Sequence, residues 1–140
     1  MGDTAIFRDP AGRTKADIEA GDELLPKFDK DGLLGAIVTD EAGAVLMFAW
    51  MNAEALARSL ETGVAHFWSR SRNRIWVKGE ESGNVLRIRE ARIDCDQDAL
   101  WLKVAVDGAG VACHTGARSC FYRAIVPGDA GGFRLVASDR

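Results

Sequence analysis

Apolar residues occur in short runs, separated by charged or glycine-containing segments, along most of the chain. Short apolar runs bounded by turn residues are typical of β-strands. We therefore expect strands at 35–39, 45–50, 66–69, 74–78, 84–93, 100–106, 121–126 and 133–137. The first two flank the turn-like sequence DEAG and predict a hairpin of two well-buried strands.

Helical periodicity is confined to two segments. Asn52 stands where a helix N-cap belongs, Leu56 and Leu60 are one turn apart, and Gly63 provides a stop. A shorter helix is predicted around 14–20, within an otherwise irregular N-terminal arm of residues 1–27. Strands dominate and do not alternate regularly with helices, so we predict an α+β fold. It has mostly antiparallel or mixed sheet with few short helices, as a single compact domain over residues 28–140.

Composition narrows the class of protein. The length of 140 residues suits one hydrophobic core. Its 18 basic and 21 acidic residues give a net charge of -3, which disfavours a dedicated duplex-DNA binder but not a local basic pocket. No uncharged apolar run approaches the roughly 20 residues of a membrane helix, and the N-terminus lacks a signal-peptide core. We expect a cytoplasmic protein with no membrane partner.

The chain has three cysteines: Cys95, Cys113 and Cys120. A disulfide framework would use an even and denser set, so reduced thiols are expected. Three thiolates with no obvious fourth ligand match a catalytic zinc site, which keeps one position for water. Buried, unreactive cysteines are the alternative interpretation.

Three aspartates occupy alternate positions: Asp94, Asp96 and Asp98. In an extended chain they would share one face, with Cys95 pointing away from them. Clustered carboxylates favour Mg²⁺, with Mn²⁺ as a substitute. An EF-hand is excluded, because Ala99 and Ala105 stand where its glycine and glutamate belong. A solvated acidic turn remains the alternative.

A third stretch alternates aromatic and basic side chains: Phe67, Trp68, Arg70, Arg72, Arg74, Trp76 and Lys78. Such a surface could stack a base and neutralise phosphate. A basic exposed hairpin with inward aromatics is the alternative. Of the two histidines, His114 follows Cys113 and could move protons beside a metal, or it could be a locally bonded loop residue. His66 is predicted to be a core or supporting residue.

Five motifs follow one another along the chain: VLMFAWMN, HFWSRSR, WVKGEESG, DCDQDAL and ACHTGARSCFYR. Together they closely resemble the phosphoribosyl-AMP cyclohydrolase family. The resemblance implies hydrolytic opening of the adenine ring of phosphoribosyl-AMP at the C6–N1 bond, in histidine biosynthesis, by a zinc-activated water with Mg²⁺ assisting. It also implies an intertwined homodimer whose zinc sites, one per subunit, combine cysteines of both subunits, with no nucleic-acid partner.

The same resemblance implies roles for individual residues. Zinc would be held by the three cysteines and Mg²⁺ by Asp94, Asp96 and Asp98. Protonation of the leaving N1 atom needs an acid, for which we hypothesise His114. Our candidates for holding the two phosphates of the substrate are Arg70, Arg72 and Lys78, together with the turn at Ser82 and Gly83. Two positions depart from the family pattern, since Leu86 replaces a common glutamine and Asn84 a common histidine.

Three other functions are the alternatives. A nucleoside or base deaminase would carry H-x-E and P-C-x-x-C motifs, which are absent. A papain-like hydrolase using Cys113 and His66 has no supporting local motif. A zinc-stapled module that binds single-stranded nucleic acid would explain the cysteines and the basic aromatic stretch, but not the three aspartates.

Overall fold

The computed structural model describes residues 6–137 of the chain. Two helices and eight strands occupy this range. The helices are α1 (Lys15–Ala20) and α2 (Ala53–Thr62). The strands are β1 (Leu34–Thr39), β2 (Val45–Met51), β3 (His66–Ser69), β4 (Arg74–Val77), β5 (Leu86–Ile93), β6 (Ala99–Val106), β7 (Arg123–Pro127) and β8 (Phe133–Ala137). Each predicted segment overlaps one of these elements, with bounds that differ by at most two residues.

Six strands form one mixed sheet in the order β4-β3-β2-β1-β6-β5. All neighbours are antiparallel except β1 and β6, which are parallel. The sheet curls, because β5 also bonds to the segment just before β3. The N–H of Ala65 donates to the carbonyl of Leu86 at 3.0 Å, and that of Ile88 to the carbonyl of Gly63 at 2.8 Å. The α+β prediction with a mixed sheet and few helices is confirmed.

One side of the sheet holds the core, and α2 packs there against β2 and β3. Asn52 caps α2 through its side chain, which accepts from the N–H of Ala55 at 2.8 Å, and Gly63 ends the helix in a left-handed conformation. The helix buries Leu56 completely against β2 and β3. Sequence periodicity identified both ends of this helix correctly.

The outer side of the sheet differs from the prediction of two well-buried strands. Ile37 of β1 and Phe48 of β2 face each other there, 42% and 47% exposed. Strands β7 and β8 pair only with each other, and Ile125 and Phe133 on this hairpin are 74% and 75% exposed. Both apolar surfaces lie outside the core of the chain.

The N-terminal arm is irregular apart from α1, which Thr14 caps with a reciprocal pair of hydrogen bonds to Asp17. Phe7 and Leu25 are nevertheless buried at 2% and 0% exposure. The arm therefore packs against the remainder of the chain, although the boundary at residue 27 stays a prediction. Within residues 6–137, the structure contains no helix with the length and apolar character needed to cross a membrane.

Candidate functional site

The three aspartates lie in the connection from β5 to β6, which we call the acidic turn (residues 94–98). This segment is a tight turn and not an extended strand, so the predicted sharing of one strand face is wrong. The Oδ1 atom of Asp94 accepts hydrogen bonds from the N–H groups of Asp98 and Ala99 at 2.9 and 3.1 Å. The turn nevertheless brings oxygen atoms of Asp94, Asp96 and Asp98 within 4.8 Å of one another.

Electrostatics in the acidic turn indicate crowded negative charge. Hydrogen bonding to Asp96 and Asp94, together with their charge, raises the pKa of Asp98 to about 6. Burial raises the pKa of Asp94, but hydrogen bonds from Asp98 and Ala99 outweigh it and lower the pKa overall. The Oδ1 atom of Asp96 is buried without a hydrogen-bond partner in the described part of the chain. These oxygen donors fit Mg²⁺, which would neutralise the cluster and satisfy that atom.

Two of the three cysteines come together in the loop between β6 and β7. Hydrogen bonds from the N–H groups of Cys113 and Gly116 to the carbonyls of Ala117 and Cys113 fold the loop tightly. The N–H of Cys120 donates to the carbonyl of Leu46 on β2 at 2.7 Å, which fixes the second thiol against the sheet. The two thiols lie close enough for each to shift the pKa of the other, lowering that of Cys113 and raising that of Cys120.

The environments of these two thiols differ. Burial raises the pKa of Cys113, but hydrogen bonds from Thr115 and Cys120 and the charge of Lys78 outweigh it, so the pKa is lowered. The hydroxyl of Thr115 donates to its sulfur at 3.0 Å. Desolvation and the neighbouring Cys113 raise the pKa of Cys120. A pair of close thiols, one of them readily ionised, suits zinc.

Cys95 does not join this pair. Among residues 6–137, the acidic turn alone brings three metal-binding side chains together, so one chain does not assemble three cysteines. Cys95 is exposed and lines a cleft of about 340 Å³ beside the N-terminal arm. His114 is exposed next to Cys113, whereas His66 is half-buried with its Nδ1 atom 2.8 Å from the carbonyl oxygen of Val64. The supporting position expected for His66 agrees with this contact.

The basic aromatic stretch forms an open groove of about 700 Å³. The groove is lined by aromatic and basic side chains, among them Phe48, Trp50, Trp68, Arg70, Arg72 and Trp76. The guanidinium of Arg70 lies 5.0 Å from the centre of the Trp50 ring, stacked over its face. Phe67 points inward and is fully buried, so the aromatics divide between core and groove.

Two smaller clefts adjoin this groove. One, of about 260 Å³, shares Arg72 and Trp76 with it and adds Lys78 and Ser82. The other, of about 210 Å³, is lined by Trp50 and by Asp98 of the acidic turn. Trp50 therefore connects the groove with the candidate cation site. The N–H of Gly83 already donates to the carbonyl of Gly79 at 2.8 Å, so Ser82 is the better placed donor of that turn.

The sequence patterns did not identify several residues that line the site. Phe48 and Trp50 were predicted as core residues of an apolar strand, whereas the structure places both in the groove, Phe48 exposed and Trp50 half-buried. Nothing in the motif ACHTGARSCFYR indicated that the hydroxyl of Thr115 would contact the sulfur of Cys113. Leu86 and Asn84, the two positions expected to differ from the family pattern, both make contacts within the chain. Leu86 is fully buried in the core, and the Oδ1 atom of Asn84 accepts from the N–H of Ala109 at 2.8 Å.

Comparison with known proteins gives a consistent result. The family described as phosphoribosyl-AMP cyclohydrolase matches residues 47–122. A Sinorhizobium medicae protein named phosphoribosyl-AMP cyclohydrolase is 58% identical over 97% of this chain and 89% of its own length. Proteins of the same name from Sinorhizobium fredii and Brucella anthropi are 55% and 59% identical, over 87% and 80% of this chain and 80% of each relative. The chain therefore belongs to the phosphoribosyl-AMP cyclohydrolase family of enzymes.

Proposed function

We propose that the enzyme hydrolyses the C6–N1 bond of the adenine ring of 1-(5-phosphoribosyl)-AMP, yielding the phosphoribosyl-formimino imidazole carboxamide nucleotide of L-histidine biosynthesis. The groove carries this proposal, because Trp50 and Trp68 offer aromatic faces beside the cations of Arg70 and Arg72. A purine ring stacks on such faces, and two phosphates require cationic partners. Family membership supports the reaction.

The phosphates of the substrate bind across the groove and the cleft that adjoins it. Arg72 lines both, and Lys78 and Ser82 extend the polar surface. Reversing the charge with Arg72→Glu should raise KM at least about tenfold with a smaller change in kcat, because ground-state binding is lost. Arg58→Glu is the matched control, since Arg58 pairs with Glu54 on the exposed side of α2. An unchanged KM for Arg72→Glu would remove Arg72 from the phosphate site.

Zinc is held by Cys113 and Cys120 of one subunit and by Cys95 of the partner subunit in a homodimer, one ion per subunit. The close pair and the distant Cys95 support this arrangement, as do the exposed apolar surfaces at Phe48 and on the β7–β8 hairpin. Bound zinc would supply an activated water near neutral pH. A cytoplasmic location would keep the three thiols reduced.

Mg²⁺ is held by the acidic turn. Asp98 and Trp50 line one cleft, so a cation there would lie at the end of the stacking groove. The cation would supply positive charge to orient a phosphate or the ribose. The three carboxylates fix its place but do not take part in bond breaking.

His114 donates a proton to the leaving N1 atom of the purine ring. Its position beside Cys113 and its exposure leave the imidazole accessible to a ligand in the site. His114→Ala should lower kcat by about 100-fold with metal content unchanged. His66→Gln is the comparison, because His66 contacts the backbone of Val64. If His114→Ala turned over substrate at the wild-type rate, another group would have to be the proton donor to N1.

The test of the whole proposal is turnover of phosphoribosyl-AMP by the Mg²⁺-supplemented protein, before and after zinc is removed and restored. We expect ring opening to disappear and return with zinc. A folded, zinc-loaded dimer that leaves the substrate intact would overturn the proposal. Salt-dependent oligonucleotide binding by such a protein would instead favour the zinc-stapled module for single-stranded nucleic acid.

A further inference from the structure

Gln97 stands between two carboxylates of the acidic turn and is only 4% exposed. Its φ angle is 60°, in the left-handed region. Glycine adopts this region freely, whereas a residue with a side chain does so at a steric cost. A glutamine at this position therefore needs interactions that offset the strain.

The side-chain amide of Gln97 supplies those interactions. Its Oε1 atom accepts from the N–H of Leu25 at 2.7 Å. Its Nε2 atom donates to the carbonyls of Ile18 and Glu23 at 2.9 and 3.3 Å. The backbone carbonyl of Gln97 also accepts from the N–H of Lys27 at 2.7 Å. All four partners belong to the N-terminal arm, so this one residue joins the arm to the acidic turn.

The arm is itself anchored to the core. Leu25 is fully buried, and within the arm the N–H of Arg8 donates to the carbonyl of Leu24 at 3.1 Å, which joins its two ends. Phe7 packs into the same core at 2% exposure. Gln97 is consequently held from outside the sheet by a segment that cannot move freely.

This anchoring acts against a repulsive force. Three carboxylate oxygen atoms within 4.8 Å of one another repel when no cation neutralises them. A turn free to open would relieve the repulsion by separating Asp96 and Asp98, which flank Gln97. A cation would then have to reassemble the site before binding.

We infer that Gln97 is a positioning residue whose amide, held by the N-terminal arm, keeps the acidic turn in its cation-binding geometry. The inference rests on the cation site of the proposed function. Coupling of this kind is reciprocal, so a bound cation should also tighten the docking of the arm. Residues far from the chemistry in sequence thereby contribute to the cation affinity.

The test measures cation binding and arm docking directly, with the zinc-loaded enzyme. The first variant is Gln97→Gly, which keeps the left-handed backbone. Its Mn²⁺ affinity is measured by electron paramagnetic resonance, which detects the unbound ion. Gln97→Asn serves as a second variant, since asparagine tolerates this conformation but its shorter amide does not reach the arm. Asp40→Asn, at the opposite end of β1, is the control for a general loss of stability.

We expect both Gln97 variants to weaken Mn²⁺ binding by about tenfold or more, with the control unchanged. Mg²⁺ should slow hydrogen exchange of the 18–27 backbone amides in the wild type but not in the variants. Wild-type Mn²⁺ affinity in both variants would overturn the inference while leaving the cation site intact. If Asp96→Asn also binds Mn²⁺ as the wild type does, the cation site of the proposed function fails, and the inference with it.

Discussion

Arg118, in the loop that carries the cysteine pair, forms an ion pair with Asp40 in the turn between β1 and β2, at 2.5 Å. Asp40 also accepts from the N–H groups of Ala42 and Ala44 at 3.0 and 2.9 Å. One carboxylate thus closes the β1–β2 turn and ties the cysteine loop to it.

This arrangement predicts a specific pH dependence of stability. The hydrogen bond from the N–H of Ala44 has the largest effect on the pKa of Asp40 and lowers it. Burial raises this pKa, but Ala44 and Arg118 together outweigh burial, so the pKa lies below the ordinary 3.8. The contribution of a carboxylate with a depressed pKa is fully present above its unfolded value and is lost as the pH falls through its folded value. Asp40→Asn should therefore be less stable than the wild type at pH 7, with the difference shrinking below pH 3.8. Urea unfolding across this range measures it, and a constant difference would contradict the assignment.

Subunit mixing tests where the zinc ligands come from. If Cys95 acts with the cysteine pair of the other subunit, Cys95→Ala and Cys113→Ala homodimers are inactive. Refolded together, they should regain about one quarter of wild-type activity, because half the dimers are mixed and each has one intact site. A mixture of Cys113→Ala with Cys120→Ala is the control and should stay inactive. Absence of recovery in the first mixture would place all three ligands in one subunit.

Thr115 offers a test of the thiol environment. Its hydroxyl donates to the Cys113 sulfur at 3.0 Å, and hydrogen bonds to a ligand atom orient it and tune its charge. Thr115→Val, which keeps the shape and loses the donor, should weaken zinc binding by about tenfold. Competition with a chromophoric chelator measures the affinity, and Thr115→Ser should retain it. Equal zinc affinities for Thr115→Val and the wild type would show that this hydrogen bond does not contribute to zinc binding.

Leu86 offers a test of the departure from the family pattern. The side chain is fully buried in the core, so Leu86→Gln would place an amide in an apolar environment. We expect a loss of about 3 kcal/mol in the free energy of unfolding, with no improvement in KM. Leu86→Met, which conserves volume, should cost less than about 1.5 kcal/mol. A stable Leu86→Gln variant with a lower KM would mean that this position reaches the substrate.

Local signals predicted most elements of the fold. The cap at Asn52, the stop at Gly63 and the alternation along β5 and β6 are short-range patterns, and each was confirmed. The parallel pairing of β1 with β6 was not predictable from such patterns, because it joins segments separated by the whole of α2 and four strands. The exposure of Phe48 was missed because a local pattern does not show which face of a strand the rest of the chain covers.

The sequence indicated which residue types would cluster better than it indicated their conformation. The alternate spacing of Asp94, Asp96 and Asp98 indicated clustered carboxylates, but the extended conformation assumed for them was wrong. The left-handed backbone at Gln97 produces the turn, and the partners of its side-chain amide lie more than 70 residues away along the chain. Motif spacing likewise could not show that Cys113 and Cys120 meet while Cys95 stays apart.

The curl of the sheet also bears on how the protein avoids aggregation. Exposed sheet edges recruit strands from other chains, and pairing or positive charge discourages this. Hydrogen bonds to the segment at Gly63 and Ala65 occupy part of β5, so that edge is partly blocked. The other edge, β4, is only four residues long and is flanked by Arg72 and Lys78. The cations proposed to hold phosphate therefore also protect the open edge, and neutralising them would lower solubility as well as substrate affinity.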